Sequence, residues 1–161
     1  MTYSAWRIAS DGLGYLAEDL GGEGAGQRGG RWNRPGFPVV YAASSISLAC
    51  LETLVHINTG TLPVRRFLVR LEIPDDVWQA AKRLDHADAP ANWDATPWDR
   101  ASIELGTHWL DDRSAPALFM VPSVVVPEEF NVLLNPLHAD SGRILSKKFR
   151  PWIYDFRLKA G

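Results

Sequence analysis

The sequence predicts an α+β domain: a mixed or antiparallel sheet with a few helices. Three observations predict it. There are six or seven short apolar runs of strand length in 161 residues, only two long segments have helical periodicity, and the connections are rich in glycine and proline. Helices this few cannot alternate with the strands, so a doubly wound parallel sheet is not expected. A hydrophobic content of 46%, with seven Trp, six Phe and four Tyr, supplies a core for one domain spanning residues 1–161.

Trp6-Arg7-Ile8 reads as a short first strand, and the glycine-dense stretch from Gly12 to Gly30 as loop. Pro38 to Ala43 is a buried strand whose last large side chain is Tyr41, after which Ser44 or Ser45 caps a helix running to His56. On that helix Leu48, Leu51 and Val55 form the expected core stripe, whereas Ser45, Ala49, Glu52 and His56 fall on another. Asn58-Thr59-Gly60 is expected to end it. A half-buried strand follows from Arg65 to Ile73, then a turn and short helix from Pro74 through Lys82.

The stretch Leu84 to Trp98 reads as an irregular loop pinned by Trp93 and Trp98. A second helix is expected from Pro97 or Trp98 to about Asp111, carrying Ala101, Leu105 and Trp109 inward. Ala117 to Val121 is a buried strand, broken at Pro122-Ser123 and resumed over Val124 to Val126. Phe130 to Pro136 supplies another short element, and Trp152 to Leu158 alternates as a closing strand.

Seventeen basic and nineteen acidic residues give a net charge of −2. That balance offers no general attraction to a polyanion, so direct nucleic-acid binding is disfavoured. The histidines His56, His86, His108 and His138 have no ligand spacing, and no metal site is expected. The single cysteine, Cys50, reads as a small buried hydrophobe. No leader pattern or membrane-length apolar run is present, so a cytoplasmic location is the expectation.

The residues that invite chemistry are Arg31, Tyr41 and Glu52. Arg31 follows two glycines on a tight turn where a guanidinium can fork onto a phosphate or serve as a surface ion pair. Tyr41 reads first as a core aromatic whose hydroxyl finds a partner. Glu52 is more telling: a carboxylate among Cys50, Leu51, Leu54 and Val55 needs a partner, and His56, one turn on, is one candidate. Ser123 is a polar residue between two apolar runs, costly there unless it bonds something. No nucleophile elbow or hydrolytic triad is present.

Five blocks in one order carry a recognisable pattern: Gly29-Gly30-Arg31-Trp32-Asn33, Pro38 to Ala43, Leu48 to His56, Val121-Pro122-Ser123 and Asn131 to Pro136. Together they resemble the RES-domain family, named for an arginine, a glutamate and a serine that here fall on Arg31, Glu52 and Ser123. The resemblance implies a fold similar to ADP-ribosyltransferase toxins. It also implies the toxin of a type II toxin-antitoxin pair, partnered by an Xre-type helix-turn-helix antitoxin that blocks the site and binds DNA. The family consumes NAD+ by cleaving the nicotinamide-ribose bond, with phosphate, water or a protein side chain as acceptor. NAD+ is then a consumed substrate, and no bound cofactor is implied.

On that resemblance Arg31 holds the pyrophosphate, Tyr41 faces the nicotinamide and Glu52 stabilises the developing ribosyl cation. Ser123, Arg7, Ser45, His56 and Asn131 orient the ligand. Two rivals are a ribonuclease-type toxin, which the acidic balance disfavours, and a catalytically silent interaction domain. The second rival predicts that Arg31, Tyr41 and Glu52 do not meet in one pocket.

Overall fold

The computed structural model describes residues 1–57 and 61–158. The expected helix end at Asn58-Thr59-Gly60 therefore lies outside the described residues. Among the described residues seven strands form one sheet in the order β4-β5-β6-β2-β1-β3-β7. They are β1 (Thr2–Ala9), β2 (Val40–Ala43), β3 (Arg66–Pro74), β4 (Lys82–Arg83), β5 (Leu118–Pro122), β6 (Phe130–Leu134) and β7 (Leu145–Trp152). Only β4 and β5 run parallel; every other neighbouring pair is antiparallel. The helices are α1 (Glu23–Arg28), α2 (Ile46–Leu54), α3 (Asp75–Gln79) and α4 (Arg100–Asp111). This is the expected α+β class.

Buried side chains sort by strand alternation into clusters on the two faces of the sheet. Ala5, Val40, Val69, Leu71, Val132 and Leu134 fill one side. On the other, Ile8, Ala43 and Leu68 pack with Leu48 and Ala49 of α2. Beside them Phe119, Val121 and Leu133 pack with Trp109 of α4 and with Trp32 and Trp93. Trp109, 1% exposed, sets its ring 5.4 Å from Phe119 and donates its indole N–H to the Pro116 carbonyl at 2.9 Å.

The sheet is discontinuous at its middle. β1 and β3 pair along their whole length, and β2 pairs fully with β6, but β1 meets β2 at the single pair Trp6 and Ala43. Where those strands part, their unpaired edges open a cleft, and α2 lies against both.

Several elements differ from the sequence reading. β1 extends well beyond Trp6-Arg7-Ile8. Inside the glycine-rich stretch a short helix forms over Glu23–Arg28, closed by a left-handed Gly22 and by Gly29 at φ 74°. α3 stops at Gln79, and Lys82 belongs to β4. α4 begins at Arg100 rather than Pro97 or Trp98, because Asp99 caps it by accepting from the Arg100 N–H. On it Ser102, Gly106 and Thr107 are buried alongside Trp109, while Ala101 and Leu105 are half-buried.

Val124 to Val126 do not resume β5: their N–H groups at 125 and 126 turn onto the Ser123 hydroxyl instead of a neighbouring strand. The closing strand is Leu145–Trp152, and residues 153–158 leave the sheet, where Phe156–Leu158 form one 3₁₀ turn. Trp93 pins the 84–98 loop as expected, but Trp98 is 43% exposed.

The largest difference concerns α2. Leu51 and Val55 are exposed, and the helix buries Leu48, Ala49 and Cys50. It turns the stripe bearing Ala49 and Glu52 toward the sheet, since small Ala49 permits close approach and the polar groups on that side find partners there.

Candidate active site

Ser45 is the N-cap of α2, its hydroxyl accepting from the Leu48 N–H at 3.1 Å. The capped helix projects Glu52 toward the ends of β5 and β6. There the Glu52 Oε1 accepts two hydrogen bonds, from the Ser123 hydroxyl and from the Asn131 Nδ2, each at 2.7 Å. Ser123 is fully buried. Its oxygen also accepts from the backbone N–H of Val125 at 3.0 Å and Val126 at 3.1 Å. The β5 terminus thus becomes a rigid socket for one carboxylate oxygen, and neither socket bond falls on Oε2.

Ser123→Ala removes the acceptor of two N–H groups and one donor to Glu52. It is expected to lower stability by about 1–3 kcal/mol, read by chemical denaturation. A variant as stable as the parent would mean that the socket does not hold.

Glu52 lines the cleft between β1 and β2, a cavity of about 420 Å³, together with Arg7, Arg28, Tyr41, His56 and Asn131. Tyr41 donates its phenol to Asn33 Oδ1 at 2.7 Å and accepts from the Trp32 N–H at 3.1 Å. Those two bonds hold the ring in place, and burial pushes the phenol well above its ordinary pKa, so it stays neutral. Arg7 reaches the Asp19 carbonyl at 3.4 Å; burial lowers its pKa, opposed by the Asp19 charge. The Asn131 Oδ1 is buried without a hydrogen-bond partner among the described residues.

Arg31 sits at the border rather than in the lining. Its Nη1 donates to the carbonyls of Trp93 at 2.8 Å and Ala95 at 2.9 Å, fastening the 84–98 loop. Its guanidinium carbon is 6.0 Å from the Trp98 ring centroid. Burial lowers its pKa, opposed by the nearby Glu52 and Asp94 charges. The Trp98 ring in turn meets His56 edge-on at 6.4 Å between centroids.

The structure therefore brings Tyr41, Glu52, Arg7, His56 and Asn131 to one cleft, with Arg31 beside it. It does not bring Ser45: that hydroxyl caps α2 and donates to Glu129 Oε2 at 2.9 Å, away from the cleft lining. Ser123 reaches Glu52 but is sealed from any ligand. His56 forms no hydrogen bond or ion pair with Glu52 among the described residues; Ser123 and Asn131 take that place. Burial raises the Cys50 thiol, as its reading as a small hydrophobe requires. Among the described residues no group of three or more His, Cys, Asp or Glu side chains is placed to hold a metal.

Arg66, Thr53 and Tyr154 also line the cleft without having been singled out in the sequence. Thr53 and Tyr154 share a 2.7 Å hydrogen bond between their hydroxyls. The sequence pattern puts Tyr154 in an alternating strand, and nothing local marks it otherwise.

The RES domain model matches residues 4–156. A protein of Sphingobium sp. named "Prs ADP-ribosylating toxin" is 51% identical over 158 residues, 98% of each chain. "Toxin Res" of Yersinia enterocolitica is 42% identical over 147 residues, 90% of this chain and 93% of the relative. In fold, a chain of the crystal structure of the M. tuberculosis MbcT-MbcA toxin-antitoxin complex superposes with a TM-score of 0.67 at 19% identity, covering 94% of this chain and 86% of that one. With a family model spanning nearly its whole length and relatives this similar, the chain belongs to the RES-domain toxin family.

Proposed function

We propose that this chain is the toxin of a toxin-antitoxin pair that cleaves NAD+ at the nicotinamide-ribose bond and passes the ADP-ribosyl group to a protein acceptor. The observation that carries the reading is the Glu52 carboxylate, clamped at Oε1 by Ser123 and Asn131, on the wall of a cleft that Tyr41 also lines. A protein acceptor is favoured over water or phosphate by the 51% identity to a relative whose name is that of an ADP-ribosylating toxin.

Breaking the C1″–N bond sends its electron pair to the nicotinamide nitrogen and leaves an oxocarbenium-like ribose. A fixed carboxylate stabilises that charge and needs no reorganisation as it develops. The acceptor nucleophile then attacks C1″ and gives up its proton. Tyr41, held by Asn33 and Trp32, offers the aromatic face for nicotinamide. Arg7, Arg28 and Arg66 line the cleft as cations, and Arg31 adds charge at its border while it holds the loop. His56 and Asn131 flank the ligand; the unpartnered Asn131 Oδ1 is an acceptor for a substrate hydroxyl or amide. NAD+ is consumed, and no resident cofactor takes part.

The proposed partner is an Xre-type helix-turn-helix antitoxin that covers the cleft. The proposed location is the cytoplasm; no helix among the described residues is long and apolar enough to cross a membrane.

The test is mass spectrometry of NAD+ incubated with the protein and a cell lysate, with and without phosphate. Free nicotinamide and a lysate protein carrying ADP-ribose are expected. NAD+ intact under every condition overturns the enzymatic reading, whereas ADP-ribose or its 1″-phosphate alone changes the acceptor.

A further inference from the structure

Beside the cleft lies a second cavity, a groove of about 480 Å³ lined by Arg28, Gly29, Arg34, Trp98, Arg100 and others. Arg28 lines both cavities, so the two are neighbours along one wall. We infer that the groove is the other half of a dinucleotide site: it takes the adenosine diphosphate portion of the substrate, while the cleft takes the nicotinamide riboside portion. This inference rests on the NAD+ reading above.

Charge is the first argument. Arg34 and Arg100 share one carboxylate, Glu104, with Arg34 Nη2 at 3.2 Å and Arg100 bound through Nε. Arg28 forms no hydrogen bond or ion pair among the described residues and is exposed. Among the described residues the three groove arginines thus share one paired carboxylate, an excess of two positive charges on a chain whose net charge is −2. Guanidinium groups at that density suit a diphosphate, whose oxygens they bind in pairs.

Shape is the second. Trp98 is half exposed and stands at the groove, with the Arg31 guanidinium 6.0 Å from its ring centroid. A purine has a π-face that stacks on such a ring. Pro35 and Ile103 add apolar wall. A flat aromatic, apolar walls and three arginines bordering one groove match a nucleotide better than an extended acidic peptide, which needs no ring.

Continuity is the third. A ligand with its reactive ribose beside Glu52 that leaves the cleft past Arg28 meets Arg34, Arg100 and Trp98 next.

The test is isothermal titration of the full chain with ADP and, separately, with nicotinamide riboside. In Arg34→Gln/Arg100→Gln the ADP affinity is expected to fall about tenfold, with nicotinamide riboside unchanged and KM for NAD+ raised at constant kcat. Arg143→Gln, which removes an exposed arginine elsewhere, controls for the loss of a surface positive charge as such and should leave ADP binding intact. The inference is overturned if ADP does not bind, if the double variant binds it as the parent does, or if Arg143→Gln weakens it equally. Loss of lysate-protein labelling with ADP affinity intact also overturns it, and makes the groove an acceptor-docking surface. Because ADP binding is read without turnover, failure of NAD+ cleavage is seen separately, as absence of nicotinamide from the wild-type protein.

Discussion

Glu52→Gln is expected to slow nicotinamide release by about 10²–10³-fold while NAD+ affinity stays within a few-fold. The substitution isolates charge from geometry. Both socket bonds to Glu52 fall on Oε1, donated by Ser123 and Asn131. A glutamine keeps an Oε1 that accepts both, so the side chain stays seated and only the negative charge is lost. What disappears is attraction to the positive ribose, which exists in the transition state and not in bound NAD+. Nicotinamide release and equilibrium NAD+ binding, measured side by side, separate the two. Equal loss of rate and affinity would assign Glu52 to ground-state binding, and an unchanged rate would remove it from the chemistry.

The same residue shows how far a sequence reading reaches. That Glu52 needed a partner followed from its apolar neighbours, and one turn along the helix His56 stood ready. The real partners, Ser123 and Asn131, lie 71 and 79 residues away in sequence. No local periodicity encodes contacts of that span. The family resemblance placed all three on one site but could not say that Ser123 acts through Glu52 and is shut off from the ligand.

Strands with unambiguous alternation, above all β3, are legible because from Val69 to Ile73 one face of the strand is buried and the other only half-buried. α2 was misread for a related reason. Of its apolar stripe Leu48 is buried but Leu51 and Val55 are outward, and hydrophobic spacing cannot announce that a helix will turn a carboxylate inward when the sheet supplies donors. Tyr154 shows the opposite case. Its alternating surroundings read as strand, yet the chain leaves the sheet after Trp152, and a hydroxyl contact with Thr53 brings it to the cleft. Arg31 was legible as a charged group near the site, but its attachment to the Trp93 and Ala95 carbonyls depends on where the 84–98 loop folds back.

Gly106→Ala is expected to destabilise the protein by more than about 3 kcal/mol, at or beyond the upper end of overpacking substitutions. The sign is the informative part, since in an isolated helix the same change stabilises by roughly 1 kcal/mol. Gly106 lies inside α4, and a Cβ there would stand 1.9 Å from the Trp32 carbonyl oxygen and 2.7 Å from its carbon. Backbone cannot rotate aside as a side chain does. Trp32 is also held on every side: its N–H donates to Tyr41, its ring packs between Trp93 and Phe119, and the following Arg34 N–H donates to Thr107 of α4 at 3.0 Å. The helix and the 29–34 loop must therefore separate, carrying Arg31 and the Tyr41 contact with them. Gly142→Ala, with nothing within 4 Å of the added carbon, is the control and should stay within about 0.5 kcal/mol of the parent. Chemical denaturation of the two variants decides it. If both behave alike, α4 does not bear on the Trp32 backbone; if Gly106→Ala alone falls, the contact that seats α4 also seats the loop on which Arg31 and Tyr41 depend.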